Sequence, residues 1–174
     1  MSNNKPISTL LLQAAGALVK SLGSMKAVYL EPASIADYGQ MQNPCCAIYN
    51  LTESPRSINQ VREAKALFQF EFYVKSDVST FDQDTGLWIS KASVDLDKLW
   101  ADFNRAMFIS SPGAASGIGN PMYAYAQLIE ENLKQKFPGY DDNSVLVCQY
   151  DVTYRTVRGN GYQSVTKNIT FPIC

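Results

Sequence analysis

Histidine is absent from the 174 residues of this chain. That removes the commonest general acid or base and the commonest transition-metal ligand from any mechanism it could run. Cysteine is sparse: Cys45, Cys46, Cys148 and Cys174 form no CxxC pair. Adjacent cysteines bond to each other only with strain, and four thiolates that include a vicinal pair make poor tetrahedral geometry. The four therefore read as reduced thiols, Cys148 serving as core filler inside an apolar run, and no metal or other cofactor is expected. Long hydrophobic runs are also lacking, none approaching the roughly 18 residues of a membrane span. Residues 1–6 (MSNNKP) lack the charged-then-apolar profile of a secretory signal. The expectation is synthesis in a reducing cytoplasm, where the sequons at Asn50 and Asn168 are chance matches. Finally, 15 basic against 16 acidic side chains leave a net charge of −1, so no global field recruits nucleic acid or an anionic membrane.

What is present is an ordinary globular composition, 46% hydrophobic and 18% charged. The length fits one domain, residues 1–174, able to bury a core without staples. Ile7, Leu10, Leu11, Ala14, Leu18 and Leu22 follow Pro6 at three- and four-residue spacings, which predicts an amphipathic helix ending near Gly23. Ala27–Leu30 and Cys46–Leu51 read as short strands, and polar residues 54–65, with Pro55 and Arg56, as an exposed loop. From Ala66 to Lys75, Phe68, Phe70, Phe72 and Val74 alternate with Gln69, Glu71, Tyr73 and Lys75, the period-two signature of a central strand with one buried face. A loop or hairpin over residues 77–90 precedes a helix capped by Ser93, with Asp95 and Asp97 in its first turn and an apolar stripe of Leu96, Leu99, Trp100, Phe103, Ala106 and Met107. Residues 110–121 are Gly-rich and turn-like. A third helix is predicted from Met122 to Phe137, closed by Pro138-Gly139. Strand-like Val145–Val157 leads to Asn160-Gly161, a pair suited to a tight hairpin turn, with residues 162–172 returning. The order predicts an α+β domain, helices packed on one face of a mainly antiparallel sheet with a C-terminal β-hairpin.

Motifs for chemistry fail on spacing. Asp82-Gln83-Asp84-Thr85-Gly86 begins like a calcium loop, but its glycine comes one position early and the twelfth position is Ser93. Gly117-Ile118-Gly119 lacks a preceding strand and a lysine, so it reads as a connector and not as a phosphate cradle. Asp141-Asp142 after Pro138-Gly139-Tyr140 reads as a solvated turn. Charge is distributed unevenly: Asp77 to Asp102 holds six acids and two lysines, whereas Lys134 to Lys167 holds five bases and three acids. This asymmetry suits head-to-tail contacts between copies. The candidate contacts to a partner or a second copy are Asp77, Asp82, Asp84, Trp88, Arg155 and Arg158.

The leading helix, the segment Leu67-Phe68-Gln69-Phe70-Glu71-Phe72-Tyr73-Val74, the helix holding Leu96 to Met107, and Val145 to Arg155 with its hairpin together resemble the tail terminator, or tail-completion neck, proteins of long-tailed bacteriophages. The resemblance covers most of the chain in size and element order and rests on pattern, without a diagnostic motif. It implies a structural virion protein and no enzyme: a ring, typically a hexamer, on the head-proximal end of the tail tube, made in the host cytoplasm. The partners it implies are the tube protein, the sheath of a contractile tail and the head-completion or connector protein, with DNA passing through the ring unbound. Other readings of the same residues are a head-completion or tube protein, a small-ligand-binding domain, and a binder of single-stranded nucleic acid through the aromatic residues near Tyr150, Tyr154 and Tyr162.

Overall fold

The computed structural model describes residues 5–32, 42–108, 119–140 and 143–165. Helix α1 (Ile7–Ser21) starts at Pro6, whose carbonyl accepts the N–H of Leu10. Strands β1 (Ala27–Leu30), β2 (Cys45–Ile58) and β3 (Val61–Lys75) follow, then a short hairpin of β4 (Thr80–Asp82) and β5 (Leu87–Ile89), and helix α2 (Lys91–Phe108). A 3₁₀ turn (Pro121–Ala124) leads into β6 (Ala126–Tyr140), β7 (Asn143–Val157) and β8 (Asn160–Ser164). The main sheet has the order β1-β2-β3-β7-β6, with β8 on β7; β1 runs parallel to β2, and every other pairing is antiparallel. The expected α+β architecture is thus observed.

Alternation in β3 and β7 places the core. Ala64, Ala66, Phe68, Phe70 and Phe72 point to one face, with Leu146, Cys148, Tyr150, Val152 and Tyr154 beside them, all buried. Both helices lie on that face. α1 contributes Leu11, Ala15, Leu18 and Val19, and α2 contributes Leu96, Leu99, Phe103 and Met107. Phe103 is the meeting point: its ring centroid lies 4.8 Å from Phe70, 5.0 Å from Phe72 and 5.7 Å from Tyr150, in tilted and edge-on contacts that favour the aromatic quadrupoles. The cysteines Cys45, Cys46 and Cys148 are free and buried; Cys174 lies outside the described residues.

Several expectations are corrected. The third helix is not formed: residues 126–140, rich in good helix formers, make the long edge strand β6, with register shifts against β7 at three places. Pairing along β7 outweighs their helical preference, and the shifts absorb a sequence that does not alternate cleanly. Residues 54–65 are not a loop but the two arms of a hairpin turning at Asn59-Gln60, where Asn59 takes φ +53°. Pro55 is tolerated there because β2 beyond Ile48 is an edge. The last turn is at Arg158-Gly159, one pair earlier than expected. Gly159 supplies φ +79°, and Val157 pairs with Asn160. Helix α2 begins at Lys91, so Ser93, Asp95 and Asp97 lie inside the helix; Ser90 Oγ and the Asp77 carboxylate cap it instead, accepting from the N–H groups of Ser93 (3.2 Å) and Ala92 (3.2 Å). Expectations for residues 109–118, 141–142 and 166–172 fall outside the described residues.

Phe103→Ala should therefore lower unfolding free energy by about 3–5 kcal/mol, read by urea denaturation. A substitution on the exposed arm of the hairpin, such as Arg56→Ala, should cost less than about 0.5 kcal/mol.

Candidate interaction site

The six residues singled out in the sequence fall at the two ends of the sheet. Asp77 lies just past the last residue of β3, and Asp82, Asp84 and Trp88 belong to the β4–β5 hairpin that follows. Arg155 and Arg158 lie at the other end, beside the β2–β3 turn, where Arg158 N donates to Gln60 O. The fifteen residues of β3 span the distance between them, about 45 Å at the rise of a strand. Within one chain the acidic and basic groups cannot meet.

Three of the six have internal duties. Asp77 accepts from Ser90 Oγ (2.7 Å) and from the α2 amides, which hold its carboxyl below the usual range. Asp82 accepts from Thr85 Oγ1 (2.7 Å) and Asp84 N (3.1 Å), closing a turn in which Gly86 takes φ +71°; its carboxyl is likewise held low. The segment that begins like a calcium loop is thus a self-capped hairpin turn. Arg155 donates to Glu63 at 2.8 Å. The Asp84 carboxylate and the Arg158 guanidinium have no partner among the described residues, and Trp88 is 72% exposed, touching Phe81 edge-on at 5.5 Å.

Two further surfaces escaped the sequence reading. The first is the sheet face turned away from the helices, on which no described helix packs. Register places its side chains in rows: Phe137-Val145-Tyr73, Gln135-Val147-Glu71, Leu133-Gln149-Gln69 and Glu130-Asp151-Leu67. A hydrogen-bonded chain runs across it, Gln149 to Gln69 (2.7 Å), Gln69 to Glu71 (2.6 Å) and Tyr73 to Glu71, with Lys65 paired to Asp151 at 3.1 Å. Its charges are mixed and largely paired, and it forms no basic groove. The wetter positions of residues 67–75 were visible as alternation; their continuation onto β6 was hidden by the helix-like composition.

The second is a cluster under the β2–β3 hairpin. Burial alone would raise the Glu53 carboxyl, but hydrogen bonds from Tyr154 (2.7 Å), Asn50 (3.2 Å) and Arg62 (3.2 Å), with the Arg62 charge, hold it below its ordinary value. Burial and the bond to Glu53 push Tyr154 up to about 12. The members are 50 to 154 in sequence, so no local motif could announce them. A carboxyl depressed by folding stabilises above its unfolded pKa and loses that contribution as pH falls through the folded value. Stability should accordingly decline as pH drops below about 4.5, the ordinary glutamate value, and Glu53→Gln should flatten part of that decline in urea titrations at successive pH values.

The three described cysteines are poor nucleophiles. Burial pushes the thiols of Cys45 to about 11 and Cys148 to about 12, and that of Cys46 well above its usual value, which leaves them protonated. Among the described residues no three cysteine or carboxylate side chains converge as a metal site would need, and no helix is long and apolar enough to cross a membrane. Lys136 Nζ donates to Ser93 Oγ (2.9 Å), but the same ammonium is ion-paired with Asp97 at 2.7 Å. A cleft of about 350 Å³ lies between α2 and the end of the sheet, walled by Met25, Pro44, Val74 and Leu99 with Lys75 and Asp95 at its rim. Comparison of the chain with protein-family models and with curated proteins returns no match.

Proposed function

We propose that this chain is a structural, ring-forming protein of a bacteriophage tail neck, of the tail-terminator kind, and acts by surface complementarity without an active site. The observation that carries this reading is a sheet with two long, unlike edges that no strand covers among the described residues. On one side β1 pairs with β2 only as far as Ile48, leaving Leu51 to Ile58 without an outer partner among the described strands. On the other, β6 pairs with β7 alone among the described strands. Because β2, β3, β7 and β6 alternate in direction, the two edges run oppositely. A copy generated by rotation therefore meets its neighbour in the antiparallel sense, and the sheet continues from subunit to subunit. Closing such a ring satisfies edges that would otherwise template aggregation.

Two details favour closure. The open part of β2 is level with residues 151–157 of β7, whereas β6 is level with 143–154. This stagger is what tilted strands need to close on themselves. Both edges also carry exposed apolar side chains, Leu51 and Ile58 on β2, Leu128, Leu133 and Phe137 on β6. The mixed-charge sheet face would suit a lumen through which DNA passes without being gripped. In this reading the ring, hexameric as in the family it resembles, sits in the virion neck, one rim on the tail tube and sheath, the other on the head-completion or connector protein.

A tube protein would use the same edges and differ in stacking its rings, so tubes grown from the isolated chain would place it there. Sedimentation of the full chain across a concentration series, with negative-stain imaging in the presence and absence of tail tubes, is the test. A closed ring, free or formed at tube ends, is expected, and Leu128→Lys with Leu133→Lys should weaken it without unfolding the subunit. A monomer that ignores tubes at every concentration would refute the reading and return the cleft to attention as a small-ligand site, detectable by ligand-dependent thermal stabilisation.

A further inference from the structure

The β4–β5 hairpin is a two-stranded sheet of its own, three residue pairs long. A hairpin of that size is marginal in water when nothing covers it. Yet it holds out Val78 (86% exposed), Phe81 (51%), Leu87 (61%) and Trp88 (72%), an apolar cluster with no role in the core. Its base is fixed: Asp77 before the hairpin binds Ser90 after it and the start of α2. The hairpin is thus a braced arm with a sticky end.

The same end of the molecule carries the cleft of about 350 Å³ between α2 and the sheet. Met25, Pro44, Val74 and Leu99 give it an apolar part, beside the polar Ser24 and Asn43, and no hairpin residue of the same chain lines it. Charges at the two surfaces are opposite. The arm carries the Asp84 carboxylate, without a partner among the described residues, beside the self-bonded Asp82. At the cleft, Asp95 is neutralised by Lys91 at 2.6 Å, while Lys75 on the rim and Lys26, whose N–H binds the carbonyl of Pro44, are exposed and without an ion-pair partner among the described residues. Trp and Phe are the side chains that most often dominate a protein contact when seated in such a pocket.

We propose that the cleft receives the Phe81–Trp88 arm of a second copy of this chain, Asp84 lying against Lys26 and Lys75. Arm and cleft are different surfaces, so the contact is heterologous: each copy gives one arm and receives another, and the series closes as a ring. The inference rests on the ring reading in requiring association between copies, and adds to the sheet edges a lock at one rim.

The test uses two variants that replace no core residue. Trp88→Ala removes the knob, and Ser24→Trp, at an exposed position lining the cleft, fills the hole. Each should raise the dissociation constant of the assembly about thirtyfold or more in sedimentation, the loss typical of an interface hot spot. An equal mixture of the two should form heterodimers where neither variant alone associates, since one intact arm then meets one intact cleft. Association of either variant as tight as wild type, or a mixture that behaves as its separate components, would overturn the arm-and-cleft contact while leaving the ring reading standing. A wild-type chain that stays monomeric with and without tail tubes would overturn both. Protection of Trp88 from fluorescence quenching only when tubes are added would assign the arm to a different partner and likewise overturn the proposal.

Discussion

The pairing of β3 with β7 is the constraint on which the rest of the structure depends. It runs without a register shift from Val61↔Val157 to Lys75↔Asn143. A slip by one residue would turn Phe68, Phe70 and Phe72 of β3 to the face opposite Tyr150 and Tyr154 of β7. Because the register holds, Phe70, Phe72 and Tyr150 meet Phe103 of α2 on one side, and Gln69, Glu71, Gln149 and Asp151 form the polar surface on the other. Everything distinctive about the molecule is arranged around that ladder. The helices cover one face, two uneven edges flank it, and a hairpin stands at each end.

The alternation of β3 and β7 made the core legible from sequence, since buried and wet positions are separated by one residue and the aromatics are concentrated on one phase. The first helix was legible for the analogous reason at a period of 3.6. β6 was not. Ile129, Leu133 and Phe137 stand four apart among Glu, Gln and Lys, as on an amphipathic helix, yet register shifts put Ile129 on the helix-covered face and Leu133 and Phe137 on the open one. Only the long-range partner decides, and a single sequence does not display it. The β2–β3 turn was hidden in a similar way, because one Asn with positive φ makes it and Pro55 argues against a strand unless the strand is known to be an edge.

For the candidate site, residue types were easier to read than duties. Trp88 is exposed, and Asp84 and Arg158 have no side-chain partner among the described residues, whereas Asp77 and Asp82 hold the hairpin together and Arg155 is paired with Glu63. A charge in a sequence does not reveal whether its partner is a helix N-terminus, a turn amide or another molecule. The two long edges, which carry the functional reading, depend on strand order alone and become visible only when the sheet is assembled. In the proposed ring, direction, stagger and apolar content of the edges are what would select one kind of neighbour.

Amide hydrogen exchange on the full chain, compared below and above its association concentration or with and without tail tubes, tests the central claim most directly. If the edges join subunits, amides in residues 51–58 of β2 and 126–140 of β6 gain protection together, while those of β3 and β7, already paired on both sides, change little. Assembly that leaves both edges exchanging as in the free subunit would contradict the account.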